Sequence, residues 1–346
     1  MAVFALASLT TLSTAQADTL SPGYGMRSLR SVAPDGQFTA YGGQIHYWTS
    51  SGGYQVYNTS SGATTTIGLP PNGTITNNFG DAFGVLDPVN NVFYAATVSN
   101  SGSYIYEYDR TAGTWSNSTS AGVYLANAFG GQVYNGQLYV SGLPATWTGT
   151  PGNTDILVFS NTAIRNEAAP QIAIQASGYS ADLAVAPDGD VYYGTNDTDT
   201  LYRWTAAQVA AVTSTPLSLG NATNQWNLPG DGGGLAVDAA GNVFFAVNNF
   251  NTGDSTLAML DSKAPNGYDP IYMSDNYQDY FGAISVDGDF LHGGSLYFNP
   301  GFNEGGTNSL LAIQAVPEPG TSALLAAGLA LVLAARRWRR PRTISE

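Results

Sequence analysis

The chain contains two histidines, His46 and His292, and no cysteine. Either histidine would suit a Ser–His–Asp triad, but no G-x-S-x-G turn accompanies them and no H-E-x-x-H metal motif occurs. His46 lies in an alternating strand pattern and His292 beside a glycine turn, so we interpret both as structural or surface residues. Without cysteine, thiol catalysis, disulfides, Fe–S clusters and cysteine-zinc sites are excluded. The sequence therefore assigns no catalytic residue.

Acidic residues recur in closely spaced pairs, and one segment resembles a calcium-binding loop. Asn196, Asp197 and Asp199 offer oxygen ligands at nearly alternate positions, as calcium loops do. The segment lacks the glycine and the distal glutamate of an EF-hand loop, so a solvated loop is the alternative. Ca²⁺ is the only cofactor that the sequence suggests. A glycosidase built on paired aspartates stays open, because sequence does not reveal the distance between carboxylates.

Trp147 and Trp226 lie in polar, loop-like surroundings, ATWTGTPGNT and ATNQWNLPGDGGG respectively. Aromatic rings present a flat apolar face with a polar edge, which suits stacking against a sugar ring. These two tryptophans are therefore candidate sugar contacts, and a purely structural role is the alternative. Most of the other tryptophans are more typical of core positions.

Two recurring sequence phrases must supply the elements that position these residues. The first is a hairpin: a short apolar strand, a turn rich in Asp, Asn and Gly, and then an aromatic strand. Its turn centres recur about every 52 residues, near Gly36, Asn91, Gly136, Gly189, Gly241 and Gly294. The second phrase is a further strand that follows each hairpin, with copies beginning at Gly52, Ser103, Thr154, Asp199, Ser255 and Asn308.

A repeat of this length, with a hairpin, a third strand and room for a fourth, is typical of a propeller blade. We therefore predict an all-β chain that forms a β-propeller of six blades, each with four antiparallel strands; five or seven blades are the alternatives. A strand near Met26 to Arg30 is expected to join the last blade and close the ring. The hairpins resemble those of generic surface propellers of the NHL and related kinds, which implies a fold and no particular activity.

The N-terminal residues are typical of a targeting segment. Residues 1–17 are mostly apolar and end in Ala15-Gln16-Ala17, the small-x-small pattern after which signal peptidase cleaves. We predict a signal peptide over residues 1–17 and cleavage before Asp18. A buried N-terminal strand or helix is the alternative.

Three segments follow one another at the C-terminus. Val316-Pro317-Glu318-Pro319 should be extended, because each proline fixes its φ angle and disfavours helix in the residue before it. Residues 321–335 carry no charge and are predicted to form a transmembrane helix, although they are fewer than the roughly 20 residues that span a bilayer comfortably. The flanking basic residues should remain cytoplasmic: Arg336, Arg337, Arg339 and Arg340. The predicted domains are thus an ectodomain, 18–315, and a tail, 316–346.

This tripartite tail closely resembles the PEP-CTERM sorting signal of Gram-negative bacteria. The resemblance implies that Pro317, Glu318 and Pro319 form the sorting motif and that an exosortase removes the tail after export by the secretion machinery. The membrane contact would then be transient, or a permanent anchor if the tail is never processed. Proteins with this signal are typically encoded in bacteria that make exopolysaccharide and biofilm or floc, which implies the cell envelope, cell surface or extracellular matrix as the destination.

The net charge of the predicted ectodomain limits the classes of molecule that it can bind. The region 18–315 has six basic and 23 acidic residues, a formal charge of −17, against −14 for the whole chain. Such a surface repels nucleic acid and better suits a neutral glycan or a calcium-bridged matrix. We predict an exported, non-enzymatic propeller of the surface or matrix, associated with exopolysaccharide. The alternatives are a secreted hydrolase or lyase acting on polysaccharide or lactone, and a protein-interaction platform.

Overall fold

The three-dimensional description rests on a computed structural model. It describes residues 18–30, 34, 36–49, 52–70, 80–98, 102–116, 123–143, 153–161, 163–177, 182–195, 199–249, 252–261, 267–274, 281–300, 309–316 and 331. The predicted signal peptide and almost all of the predicted tail lie outside these residues, so the three domain boundaries stay predictions.

Two N-terminal strands precede the first blade: β1 (Thr19–Leu20) and β2 (Tyr24–Arg30). Blade 1 contains β3 (Thr39–Tyr41), β4 (Gln44–Thr49), β5 (Gly53–Asn58) and β6 (Thr64–Gly68). Blade 2 contains β7 (Gly80–Asp87), β8 (Val92–Val98), β9 (Ser103–Asp109), β10 (Thr114–Trp115) and β11 (Val123–Leu125). Blade 3 begins with β12 (Asn127–Tyr134), β13 (Gln137–Leu143), β14 (Asn153–Phe159) and β15 (Gln171–Ser177).

Blade 4 contains β16 (Leu183–Val185), β17 (Val191–Thr195) and β18 (Thr200–Trp204). Between β18 and the last strand of this blade lie a short helix, β19 and a 3₁₀ turn: α1 (Ala206–Ala210), β19 (Leu217–Ser218) and Leu219–Asn221, followed by β20 (Asn224–Asn227). Blade 5 contains β21 (Asp231–Val237), β22 (Val243–Asn249), β23 (Asp254–Leu260) and β24 (Asp269–Ser274). Blade 6 contains β25 (Ala283–Asp287), a 3₁₀ turn, β26 and β27: Phe290–His292, Ser295–Asn299 and Leu310–Ala315.

Each blade is a small sheet whose main strands pair antiparallel with their neighbours in sequence, while β2 completes blade 6 and the extra strand β19 pairs parallel with β15. The innermost strands of successive blades pack against one another around a complete ring, from β3 through β7, β12, β16, β21 and β25 back to β3. The second sequence phrase supplies the third strand of every blade: β5, β9, β14, β18, β23 and β27. The prediction of an all-β, six-bladed propeller is therefore confirmed. Blade 5 gains β1, blade 3 gains β19 and blade 2 gains β11 as extra strands.

The core lies between the blades rather than inside any one of them. Successive strand residues point to opposite faces, so Ile156 packs toward blade 4 while its neighbour Leu157 packs toward blade 2. The described apolar residues form six clusters, one at each interface between neighbouring blades. Trp48, Trp115 and Trp204 are buried in these clusters, which confirms their prediction as core residues.

In blade 1 the predicted position of the hairpin turn is wrong. Gly36 was the expected turn centre of the first hairpin, but it precedes the inner strand β3. The turn instead lies at Gly42 and Gly43, between the paired residues Tyr41 and Gln44. Both glycines have positive φ angles, 59° and 74°, as a two-residue hairpin turn requires. Asp-Gly and Gly-Gly are both turn signals, and only the strand pairing decides between them. The other five expected turn centres lie in their hairpin turns.

The N-terminal strand closes the ring, as predicted. β2 pairs in antiparallel register with β27, from Tyr24 opposite Ala315 to Arg30 opposite Leu310. The Val316 N–H then donates to the Gly23 carbonyl at 2.8 Å. Blade 6 is thus built from both ends of the ectodomain, and neither end is free to leave without exposing an edge of its sheet.

Loss of β2 should therefore open the ring. A chain lacking residues 18–30 loses the β2–β27 ladder and the stacking of Tyr24 on Phe290. We expect destabilisation of about 3 kcal/mol, a decrease in Tm of roughly 6–12 °C. Thermal unfolding followed by circular dichroism measures this shift. A chain lacking residues 317–346 is the control and should keep the Tm of the intact ectodomain; equal Tm values for both truncations would show that closure contributes nothing.

Candidate functional site

A cleft between blades 4 and 5 carries polar and aromatic side chains that could bind a ligand. Its volume is about 190 Å³. Blade 4 and blade 5 form its two walls, at the end of the ring where the hairpin turns lie. Its lining residues are Ala186, Pro187, Asp188, Tyr192, Arg203, Trp226, Ala239, Ala240, Gly241, Val243, Leu260 and Asp261.

The strand register of blade 4 places the aromatic residues of the cleft. Tyr192 pairs with Arg203, and Arg203 pairs with Asn224, so these side chains share one face of the sheet. Trp226 follows two residues after Asn224 and therefore points to the same face. The rings of Tyr192 and Trp226 are stacked, with centroids 6.4 Å apart and an angle of 25° between their planes. Tyr192 is buried and Trp226 is half-buried, so the indole presents an accessible platform.

Arg203 is held rigidly beside this platform. Its guanidinium donates to Asp190 from Nε at 2.7 Å, with a second nitrogen at 2.5 Å, and to Asn224 Oδ1 at 3.2 Å. Burial opposes the charged form of Arg203, but the hydrogen bond to Asp190 and the nearby carboxylates outweigh burial and raise its pKa. Asp190 also accepts the Ala206 N–H at the start of α1, at 2.8 Å. One buried carboxylate thus fixes both the arginine and the short helix.

The opposite wall is fixed by a second carboxylate. The buried Asp238 accepts the N–H groups of Ala240 and Asn242 at 2.9 and 2.8 Å, and that of Phe290 in blade 6 at 3.1 Å. These bonds hold the turn that follows β21. The turn presents only Ala239, Ala240 and Gly241 to the cleft, so no bulky side chain fills the space facing Trp226.

This arrangement suits the binding of a sugar ring. A half-buried indole offers an apolar face, while Arg203 and the carboxylates at the rim offer hydrogen bonds to hydroxyl groups. Because both walls are held by buried carboxylates, the cleft needs little reorganisation when a ligand binds. Of the two tryptophans that are candidate sugar contacts, Trp226 lies in this cleft. Trp147 lies outside the described residues.

A second recess lies along the axis of the ring. It has a volume of about 180 Å³ and is lined by the inner strands of blades 1, 2, 3, 5 and 6. Within the described part of the chain its lining contains no ionisable side chain. Three polar side chains there join neighbouring inner strands: Thr39 accepts the Leu86 N–H, Gln132 that of Val185, and Ser285 that of Ala40. The axial recess is therefore primarily a structural seam.

Asp182 lies at the other end of this seam, directly before β16. Its Oδ1 occupies the place that a Cβ on Gly130 would need, and Gln37 Oε1 and Ser141 Oγ each lie 3.2 Å from that same position. Its Oδ2 is buried and has no hydrogen-bond partner among the described residues. Desolvation raises the pKa of Asp182 well above its usual range, and a hydrogen bond from the Leu235 backbone only partly opposes this.

The two histidines lie away from the cleft. His46 is buried in blade 1, and its Nδ1 is 2.8 Å from the hydroxyl of Tyr54. Burial, helped by the charge of Arg110, lowers the pKa of His46 to about 4. His292 is exposed, and its Nδ1 lies 2.7 Å from Asp289 within the turn that follows β25. Their positions agree with the interpretation of one structural and one surface histidine.

The predicted calcium loop is only partly described. Asn196 and Asp197 lie outside the described residues, and Asp199 is exposed with a positive φ of 46°. The Asp199 carbonyl accepts the Leu228 N–H at 2.7 Å. Throughout the described ranges, no group of three or more His, Asp or Glu residues is placed to hold a metal ion. The Ca²⁺ site therefore stays a prediction.

The sequence analysis missed Tyr192, Arg203, Asp188 and Asp261 as members of one site. Arg203 could have been recognised from the sequence as a candidate site residue. It is one of six basic residues in the ectodomain and lies inside a strand otherwise rich in apolar residues. Asp182 had no comparable signal, since its burial depends on the absence of a side chain at Gly130, in another blade.

The hairpin turns of three successive blades also expose apolar side chains. Leu291 in blade 6, Tyr41 in blade 1 and Val89 in blade 2 are 41%, 51% and 84% exposed. Single exposed apolar residues are common on protein surfaces. These three residues are where the alternative of a protein-interaction platform would find its contacts.

Membrane attachment concerns the C-terminal tail. Of the predicted transmembrane helix, 321–335, only Leu331 is described, and it is helical and exposed. No helix in the described portion of the chain is both long enough and apolar enough to cross a bilayer. The sorting motif and the four flanking arginines also lie outside the described residues, so the membrane helix stays a prediction.

The ring of six sheets defines the protein as a six-bladed β-propeller. Solved structures with the same fold have diverse activities. The calcium-binding protein regucalcin from Agrobacterium tumefaciens is 12% identical, with a TM-score of 0.54 over 84% of this chain and 93% of that chain. A gluconolactonase from Xanthomonas campestris is 10% identical, with a TM-score of 0.52 over 87% and 95%. The aldose sugar dehydrogenase from Streptomyces coelicolor is 15% identical, with a TM-score of 0.51 over 86% and 99%. At these identities the likeness establishes the fold alone.

The C-terminal region gives the more specific finding. Residues 315–340 match the family model of the PEP-CTERM protein-sorting motif. The chain therefore carries the C-terminal signal of a PEP-CTERM protein, as predicted from Pro317, Glu318 and Pro319. This signal implies export to the cell envelope or surface and processing by an exosortase. No curated protein sequence is significantly similar to the chain.

The buried His46 should make folding sensitive to acid. Its pKa is about 4 in the folded protein and about 6.5 in the unfolded chain. Between these values the unfolded chain binds a proton that the folded protein does not, so stability falls as the pH decreases from about 6.5 to 4. The loss due to this group is at most about 3 kcal/mol.

Urea unfolding at pH 7 and pH 4.5 tests this expectation. His46→Gln keeps an acceptor for Tyr54 but does not titrate, so it should lose less stability than the unmodified protein between the two pH values. His292→Gln is the matched control, since His292 is exposed, and should behave like the unmodified protein. Identical losses in all three proteins would contradict the assignment.

Proposed function

We propose that this protein is a non-enzymatic propeller of the cell surface or extracellular matrix that binds exopolysaccharide after exosortase processing. The glycan would lie in the cleft between blades 4 and 5. The observation that carries the proposal is the half-buried indole of Trp226, which stacks on the buried Tyr192 and lines the cleft opposite the small residues of the blade 5 turn. Export by the sorting signal supplies the matching location.

The junction between propeller and tail supports a role after processing. Val316 is the last residue whose backbone bonds to the ring-closing sheet, through its N–H to the Gly23 carbonyl. Pro317 follows at once. Cleavage anywhere beyond Val316 would therefore release the propeller with blade 6 complete, and the cleft is formed by other blades.

Co-sedimentation with the exopolysaccharide of the native host tests the proposal. The full chain, purified in detergent, should bind saturably and leave the length of the glycan unchanged. Trp226→Ala should weaken binding by about tenfold or more, because it removes the central aromatic contact. Tyr41→Ala, an exposed tyrosine on another blade, is the control and should bind as before. Equal binding by Trp226→Ala would exclude this cleft, and no binding by any form would remove the proposal.

A second candidate function, a hydrolase or lyase acting on polysaccharide or lactone, is favoured by Asp182. A buried carboxyl with a raised pKa beside Gln37 and Ser141 has the properties of a general acid. Burial raises the pKa of Asp182 and so favours the protonated form, which could donate a proton to a leaving oxygen.

The same glycan sample distinguishes this candidate from the first. Shortening of the glycan by the intact chain, with about 100-fold or greater loss of the rate in Asp182→Asn, would establish the enzyme. Asp182→Asn should remain folded, because an amide has nearly the same size and shape as a carboxyl. Asp254→Asn, which changes an exposed aspartate, should retain the full rate. Unchanged glycan length with the intact chain would rule out cleavage of this polymer.

A further inference from the structure

The charged side chains that line the cleft indicate which class of glycan it would bind. Asp188 lies in the hairpin turn of blade 4, where its Oδ1 accepts the Asp190 N–H at 3.1 Å, and its exposed carboxylate lines the cleft. Asp261, at the end of blade 5's third strand, adds a second carboxylate to the lining. The aromatic platform of Trp226 therefore lies in an acidic recess.

Arg203 offsets only part of this acidity. Among the described residues that line the cleft it is the only cationic side chain, and its guanidinium is bonded to Asp190 at 2.5–2.7 Å and to Asn224. Asp190 pairs with Arg203, so the lining carboxylates set the local potential. The formal charge of −17 for residues 18–315 strengthens it.

An anionic sugar would meet repulsion in this recess, and a neutral sugar would gain nothing from its charge. A sugar with a protonated amino group would make two favourable interactions in this recess. Its ammonium would lie within reach of the Asp188 carboxylate, and its ring would stack on the indole of Trp226, whose face attracts cations. The chemistry of the site is thus complementary to an amine-bearing glycan.

We propose that the cleft selects a glycan with free amino groups, such as a polymer of partly or fully de-N-acetylated hexosamine. This inference rests on the proposed function and specifies its ligand. The Tyr192–Trp226 platform provides stacking that every sugar shares. The exposed Asp188 carboxylate provides the discrimination between an amine and its N-acetyl form.

Isothermal titration calorimetry with two matched oligosaccharides tests the proposal. The full chain in detergent is titrated with glucosamine hexamer and with N-acetylglucosamine hexamer, which differ only in the acetyl groups. The amine form should bind about tenfold more tightly at low salt, and the difference should shrink as ionic strength rises. Galacturonate hexamer, an anionic oligosaccharide, should bind more weakly than either.

Three variants assign the preference to the cleft. Asp188→Asn should reduce the preference for the amine form about fivefold or more while changing affinity for the N-acetyl form less than about twofold. Trp226→Ala should weaken both. Asp254→Asn removes the same charge from an exposed position outside the cleft lining, and should leave the preference unchanged.

The outcomes separate this inference from the proposed function. Equal binding of the amine and N-acetyl forms, or a preference that Asp188→Asn and Asp254→Asn reduce equally, would overturn the inference. If neither hexamer binds but the host's exopolysaccharide still binds through Trp226, the inference fails and the proposed function stands. If neither the hexamers nor the exopolysaccharide bind, both fail.

Discussion

The pairing of β2 with β27 is the interaction on which the remaining structure depends. A propeller has no central core, because its apolar residues lie in six separate interfaces between blades. Each interface is stable only if both of its blades are held in place. The ladder from Tyr24 to Arg30 joins the two ends of the ectodomain and so turns a row of blades into a ring.

Once the ring is closed, buried carboxylates set the local geometry. Asp190 ties Arg203 and α1 to the hairpin turn of blade 4, and Asp238 ties the turn of blade 5 to blade 6. Each satisfies several backbone or side-chain donors, as a buried charge must. Asp190 and Asp238 also fix the two walls of the cleft. The hydrogen bonds that satisfy these buried carboxylates therefore also set the shape of the site.

The sorting signal concerns the export of the protein, and the cleft concerns its proposed role after export. Val316, the first residue of the predicted tail, is also the last residue that hydrogen-bonds to the ring-closing sheet, so cleavage beyond it would leave that sheet intact. The ectodomain is strongly acidic, and its described part has an aromatic, acidic recess between blades 4 and 5. We propose that this recess binds a polymer outside the cell, and a basic amine on that polymer would meet both the local and the overall charge.

The sequence by itself determined the third strand of every blade, the closing strand and the sorting signal, and its six repeats favoured six blades over five or seven. All of these are local patterns: alternation, turn residues and ordered segments are properties of neighbouring positions. It identified Trp226 but not its companions, and it misplaced the first hairpin turn, since both Asp35-Gly36 and Gly42-Gly43 satisfy turn chemistry. Only the tertiary structure decided which residues meet across blades. The stacking on Tyr192, the bonding of Arg203 and the burial of Asp182 over Gly130 all depend on strand register and blade packing, which no local pattern encodes.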